Sequence, residues 1–110
     1  MILYGISNCD TVRKARKFLE QAQLSFEFHD FRQQGLTPEH IQAWLKHCDY
    51  DQLINKRSTS WKQLTESERQ AVDNQDLSVV CQYPTLIKRP VLQLADRLLI
   101  GFNLTDYQAL

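Results

Sequence analysis

Between Ile2 and Phe31 the apolar pattern changes period twice, which confines the chain to folds where a helix bridges two strands. Ile2 to Ile6 is a short, nearly continuous apolar run, the pattern of a buried strand. From Thr11 the spacing becomes helical. Val12, Ala15, Phe18, Leu19 and Ala22 fall on one face, with Arg13, Lys14, Lys17, Glu20 and Gln21 between them. Phe26, Phe28 and Phe31 are then interrupted by Glu27, His29 and Asp30, which predicts a second strand near 25–30. Strand, helix, strand is a βαβ unit with a crossover helix.

The middle of the chain is helical by the same logic. Leu36-Thr37-Pro38 is a start signal: Thr37 as N-cap, Pro38 at the first helical position, and Leu36 placed to staple against Ile41. Ile41, Trp44, Leu45 and Cys48 line one face of that helix. Thr65-Glu66-Ser67-Glu68 is a capping box that opens another short helix toward Val72. Leu77, Val80 and Cys81 share a face of a third, which Pro84 stops. Two apolar runs, 90–94 and 97–100, then flank Ala95-Asp96, as in an antiparallel hairpin. The tail from Asn103 suits a short final helix. A βαβ unit and a ββ hairpin sharing one mixed sheet form the thioredoxin-like arrangement, an α/β fold. Here a helical insertion, about 36–83, separates the two halves. One domain over 1–110 is expected for a chain of this length.

Composition narrows the function. Thirteen basic residues balance thirteen acidic ones, which argues against a bulk nucleic-acid binder while leaving room for a local basic patch. No apolar run approaches the ~20 residues of a membrane span. Met1 leads directly into Ile2-Leu3-Tyr4 without a signal-peptide pattern, so a cytoplasmic protein is expected. The three cysteines, Cys9, Cys48 and Cys81, are odd in number and far apart, a poor disulfide framework that suits a reducing compartment. No two lie at metal-ligand spacing, and His29, His40 and His47 form no H-x3–5-H pair, so no metal site is expected.

Whether one thiol is a reagent turns on placement. Cys9 falls between the first strand and the first helix, where free backbone N–H groups and the helix dipole favour a thiolate. Arg13 lies one turn further on, with Lys14, Arg16 and Lys17 following; Asp10 opposes them. Placement favours a reactive Cys9 over a small buried thiol. Cys48 and Cys81 sit on apolar stripes and read better as small core residues, although a resolving role for Cys81 stays open. Asn8 is an N-cap or turn residue, or an amide that orients the thiol. Arg89-Pro90 precedes an apolar strand. X-Pro is the bond with appreciable cis population, and Arg89 is either an ordinary surface arginine or a holder of a carboxylate or oxyanion. The polar basic run Asn55-Lys56-Arg57-Ser58-Thr59-Ser60-Trp61 reads first as a solvated turn anchored by Trp61, and second as an anion binder.

Four blocks, Tyr4 to Ala15, His29-Asp30-Phe31-Arg32, Asn55 to Trp61 and Ile87 to Leu92, together resemble the arsenate-reductase-like (ArsC/Spx/YffB) family, in family order and over nearly the whole chain. The resemblance is greatest to its small YffB-type branch, described as glutathione-dependent thiol reductases. It implies a thioredoxin-like fold, a single nucleophile at Cys9, a cis bond before Pro90 and an anion-recognising Arg89. It also implies glutathione as co-substrate, glutaredoxin as a further partner, and no permanently bound cofactor. Asn8, Arg13 and Arg57 join Arg89 and Pro90 as candidate substrate- or anion-binding positions. The expected partners are a small-molecule or thiol/disulfide substrate, with no nucleic acid and no membrane, and a monomeric chain. Two departures shape the expectation. The Spx regulators carry Cys-x-x-Cys, whereas Val12 holds the second position here. Arsenate reductases surround the oxyanion with three arginines. Arg89 matches one; Asn55 stands at the second, with Arg57 two residues on. The third place falls near Ile100 to Phe102, and Arg97 lies a few residues earlier. Arsenate reduction and an Spx-like regulatory role are the alternatives to thiol reduction.

Overall fold

A computed structural model describes all 110 residues. In chain order the elements are β1 (Ile2–Gly5), α1 (Asp10–Gln21), β2 (Glu27–Asp30), α2 (Phe31–Gln34), α3 (Pro38–Trp44), α4 (Tyr50–Leu53), α5 (Thr59–Gln63), α6 (Glu66–Asp73), α7 (Leu77–Gln82), a 3-10 turn (Pro84–Leu86), β3 (Val91–Gln93), β4 (Leu98–Ile100) and α8 (Leu104–Gln108). They divide into two compact units, one of Met1–Gln34 with Arg89–Leu110 and the other of Gly35–Lys88. No helix is long and apolar enough to cross a membrane.

The first unit holds the sheet, in the order β2-β1-β3-β4. β1 runs parallel to β2, with Leu3 opposite Phe28 and Gly5 opposite Asp30. β3 is antiparallel to β1, with Tyr4 opposite Val91, and β4 is antiparallel to β3, with Leu92 opposite Leu99. The hairpin closes as predicted around Ala95-Asp96: the Leu94 N–H donates to the Arg97 carbonyl at 2.9 Å. This mixed sheet, parallel through the βαβ half and antiparallel through the hairpin, is the thioredoxin-like pattern.

The helical stripe read from the sequence is the one that packs. Val12, Ala15 and Leu19 of α1 are buried, and Leu3, Ala15, Leu19, Leu92 and Tyr107 form one core cluster. Burying each leucine fully contributes about 1.5–3 kcal/mol. Gly5 lets α1 approach β1: a Cβ there would lie 2.7 Å from Cγ2 of Val12. The Arg89–Pro90 bond is cis. Pro90 stands just outside β3, where its missing N–H takes nothing from the ladder.

The second unit is helical around Ile41, Trp44, Leu53, Val72, Val80 and Leu86, all buried. Thr37 caps α3 as expected, and its box is closed by His40 in place of an acid: the His40 N–H donates to Thr37 Oγ1 and the Thr37 N–H to His40 Nδ1. The Thr65–Glu68 box opens α6. Three short helices were not foreseen. α2 follows β2 without a break, α4 starts at a box between Asp49 and Gln52, and α5 starts inside the stretch read as a loop, where Ser58 accepts from the Trp61 N–H. The first helix of this unit also ends earlier than predicted. Lys46 and His47 donate to carbonyls three residues back, so Cys48 lies beyond α3 in a turn.

Candidate active site

The connection between β1 and α1 is tight. Ile6 is buried, Ser7 and Asn8 are exposed, and the Cys9 N–H donates back to the Ile6 carbonyl at 3.3 Å. This turn places Cys9 itself at the N-cap of α1, in extended backbone (φ −97, ψ 127), while its carbonyl accepts from the Arg13 N–H at 2.9 Å. Of the two placements expected for Asn8, N-cap or turn residue, the structure takes the turn. Asparagine is the stronger capping type, but the turn closed on Ile6 starts the helix after Cys9, and Asn8 is left as an exposed turn residue.

Cys9 stands at the position where a serine or aspartate oxygen usually faces the first free N–H groups of a helix. Burial pulls the half-buried Cys9 thiol upward. The backbone N–H groups of Val12 and Thr11 and the charge and hydrogen bond of Arg89 outweigh that pull, so its pKa is lowered. The sheet brings Arg89 here. Tyr4 pairs with Val91 across β1 and β3, so the chain enters β3 from Arg89 at the end of β1 from which the turn to Cys9 leaves. Nε and Nη1 of Arg89 are buried without a hydrogen-bond partner. A buried unsatisfied donor costs about 1–3 kcal/mol, more when charged. The guanidinium thus offers two donors beside the sulfur that an anion would satisfy.

The other two thiols shift the opposite way. Burial raises Cys48, with Asp49 adding to it, and burial raises Cys81, with Glu39 adding to it. Both are half-buried, less enclosed than their apolar stripes suggested. The Cys48 thiol donates to the Trp44 carbonyl at 3.3 Å.

The first unit thus brings Arg89 to Cys9, with Pro90 next to Arg89 in the chain and Asn8 exposed at the turn. Arg13 is also exposed and forms an ion pair with Asp10; the groups that lower the thiol are Val12, Thr11 and Arg89. Arg57 belongs to the second unit. It is exposed, and its N–H donates to Asn55 Oδ1 at 3.1 Å. Around it, Lys56 is ion-paired with Asp73 at 2.8 Å, and Lys56 and Arg69 flank the half-buried Trp61 ring at 5.3 and 5.8 Å from its centre. Of the two cations in that run, Lys56 is therefore engaged within its own unit and Arg57 is exposed. No group of three or more His, Cys, Asp or Glu side chains is arranged to hold a metal ion. Sequence reasoning did not single out Thr11 and Val12 as functional, because they act through backbone N–H groups that any residue but proline supplies. The only signal was a cysteine at the start of a helical pattern.

Comparison with known proteins agrees with the fold. The model of the ArsC family matches residues 4–110. An uncharacterized protein of Haemophilus influenzae is 43% identical over 108 residues, covering 97% of this chain and 95% of its own. The global transcriptional regulator Spx of Streptococcus pneumoniae is 30% identical over 109 residues, covering 97% of this chain and 82% of the regulator. Among solved structures, a YffB protein superposes with a TM-score of 0.90 at 33% identity, covering 98% of this chain and 96% of that one. An arsenate reductase (ArsC) related protein from Brucella melitensis gives 0.73 at 37% identity, covering 98% and 91%.

Proposed function

The chain belongs to the ArsC family, and we propose that it works there as a cytoplasmic, glutathione-dependent thiol reductase with Cys9 as its one nucleophile. The observation that carries this reading is the contrast among the three thiols: Cys9 alone is lowered, by two backbone donors and an arginine, while Cys48 and Cys81 are raised. Only the thiolate attacks sulfur.

The proposed cycle has two exchanges. The Cys9 thiolate attacks the glutathione sulfur of a mixed disulfide; the S–S bond breaks, the substrate leaves as a thiolate, and Cys9 carries glutathione. A second glutathione, as thiolate, attacks that adduct and frees Cys9 as the leaving thiolate. The sum converts the substrate's mixed disulfide and one incoming glutathione into the substrate thiol and oxidised glutathione. The Thr11 and Val12 N–H groups serve both steps, because they stabilise Cys9 as nucleophile and as leaving group. Arg89, whose buried Nε and Nη1 have no partner, suits an anionic group of glutathione.

Mass spectrometry after exposure to oxidised glutathione tests the assignment. One adduct, on Cys9 alone, removed by excess glutathione and absent from Cys9→Ser, is expected. No adduct, or one confined to Cys48 or Cys81, overturns it. The similarity to Spx supports a second, regulatory reading. Stable association with RNA polymerase, with no thiol turnover, would favour it.

A further inference from the structure

α1 carries its cations close together. Arg13, Lys14, Arg16 and Lys17 crowd five consecutive positions, and no basic residue stands in its last turn. Arg13, in the first turn, meets the positive end of the helix dipole, and the negative end would have welcomed a cation. The four also repel one another: Arg13 with Arg16 and Lys17, and Lys14 with Lys17, are like charges three or four residues apart. One ion pair, Arg13 with Asp10, relieves this crowding. Lys14 and Lys17 are exposed and in no ion pair. The guanidinium carbon of Arg16 stands over the Phe28 ring, 4.2 Å from its centre. Arg13, Arg16 and Lys17, with Glu20, line a shallow surface cavity of about 250 Å³. The notch begins about 6 Å along the helix axis from Cys9.

We propose that this basic notch, extended by Lys14, is a docking surface for an acidic segment of a protein, which presents the segment's own glutathionylated cysteine to Cys9. The proposal rests on the thiol-reductase reading and names its substrate class. Charge complementarity selects the occupant. A nucleic acid would need a longer run of cations than these four supply, and the chain as a whole is neutral. A membrane surface would need apolar side chains beside the cations, and the exposed large hydrophobic residues are Met1 and Leu104, neither of them on α1. An acidic stretch of a few residues matches the patch in length and sign. It would be steered to the reactive end of the helix, and the unfavourable charge placement is what such steering requires.

Two synthetic peptides, alike except that the residues flanking a glutathionylated cysteine are acidic in one and basic in the other, provide the test. With excess glutathione at ~20 mM salt, kcat/KM for the acidic peptide should exceed that for the basic one by roughly 10-fold or more. The difference should collapse at ~0.5 M salt. The double variant Lys14→Glu/Lys17→Glu should lose the preference while turning over the small mixed disulfide of glutathione and 2-mercaptoethanol at the wild-type rate. Its Tm and helical circular dichroism, read alongside, separate a lost preference from a lost fold. Equal kcat/KM for the two peptides, or a preference that survives the charge reversal, overturns the docking surface. Should the small disulfide not be turned over at all, the reductase reading fails. Docking is then judged by fluorescence anisotropy of the same peptides with serine for cysteine, where equal affinities overturn it.

Discussion

Cys9 stands under two opposed influences, and the balance between them sets its chemistry. Partial burial favours the neutral thiol; Val12, Thr11 and Arg89 favour the thiolate and win. Arg89 is the one of these that a side-chain substitution removes. Arg89→Ala should raise the Cys9 pKa, read from the pH dependence of iodoacetamide labelling, and lower kcat/KM about 10- to 100-fold, the worth of a hydrogen bond to a charged group. Arg89→Lys keeps the charge without the fork and should fall between the two. An Arg89→Ala protein with an unmoved pKa would show that the backbone donors suffice. The same shift has a stability consequence. A folded-state pKa below the unfolded one, ordinarily about 8.5, stabilises the fold fully above the unfolded value and loses that contribution as pH falls through the folded one. The Tm of the wild type relative to Cys9→Ser should therefore climb with pH across that window and then level off; a decline would contradict the lowered thiol. Cys9 was legible in the sequence because its position, between two periods, is the cause of its chemistry. Arg89 was legible only as one of two alternatives. Its burial and its reach to the sulfur depend on strand pairing between residues far apart in the chain.

Elements were legible in proportion to their length. α1 spans enough turns for its stripe to show, and the predicted Val12, Ala15 and Leu19 are its buried face. α2 and α4 have four residues each and α5 five, too few for any period to emerge. Their signals are caps, which compete with ordinary turn chemistry in the same residue types. What no pattern reveals is how closely two elements approach, and Gly5 decides that for β1 and α1. Gly5→Ala would drive a methyl group against Val12, whose branched side chain is stiff in a helix. A cost of about 1–3 kcal/mol is expected by urea denaturation, as for other overpacked cores. Val12→Ala alone should also destabilise, by leaving space, but in Gly5→Ala/Val12→Ala the new methyl group enters that space. The double variant should lose less than the sum of the two single changes. Additive losses would mean that the two positions do not share one contact.

At the scale of the molecule, the sheet of the first unit is assembled from segments that the whole of Gly35–Lys88 separates in sequence. Local pattern predicted the strands, but their lateral order, β2-β1-β3-β4, rests on joining both ends of the chain in one core. Tyr107 completes that core. It is 1% exposed in the cluster with Leu3, Ala15, Leu19 and Leu92, and its ring meets Phe18 and Phe102 edge-on at 5.8 and 4.7 Å. In the sequence it was indistinguishable from its neighbour Leu104, which is 50% exposed; only the docking of α8 separates the two. Its hydroxyl is buried without a hydrogen-bond partner, and burial pushes its pKa well above the ordinary tyrosine value. The ring and the hydroxyl therefore act on stability with opposite signs. Tyr107→Ala should cost about 3–5 kcal/mol, as for a large core aromatic. Tyr107→Phe keeps the ring contacts and removes the unsatisfied group, so it should be neutral or stabilising, by up to about 1–3 kcal/mol. Urea titrations of the three proteins with an unchanged m-value would establish the order Phe at least equal to Tyr, and both far above Ala. A Tyr107→Phe protein less stable by more than about 1 kcal/mol would mean instead that the hydroxyl makes a net favourable hydrogen bond, of the size usual for such bonds in folded proteins.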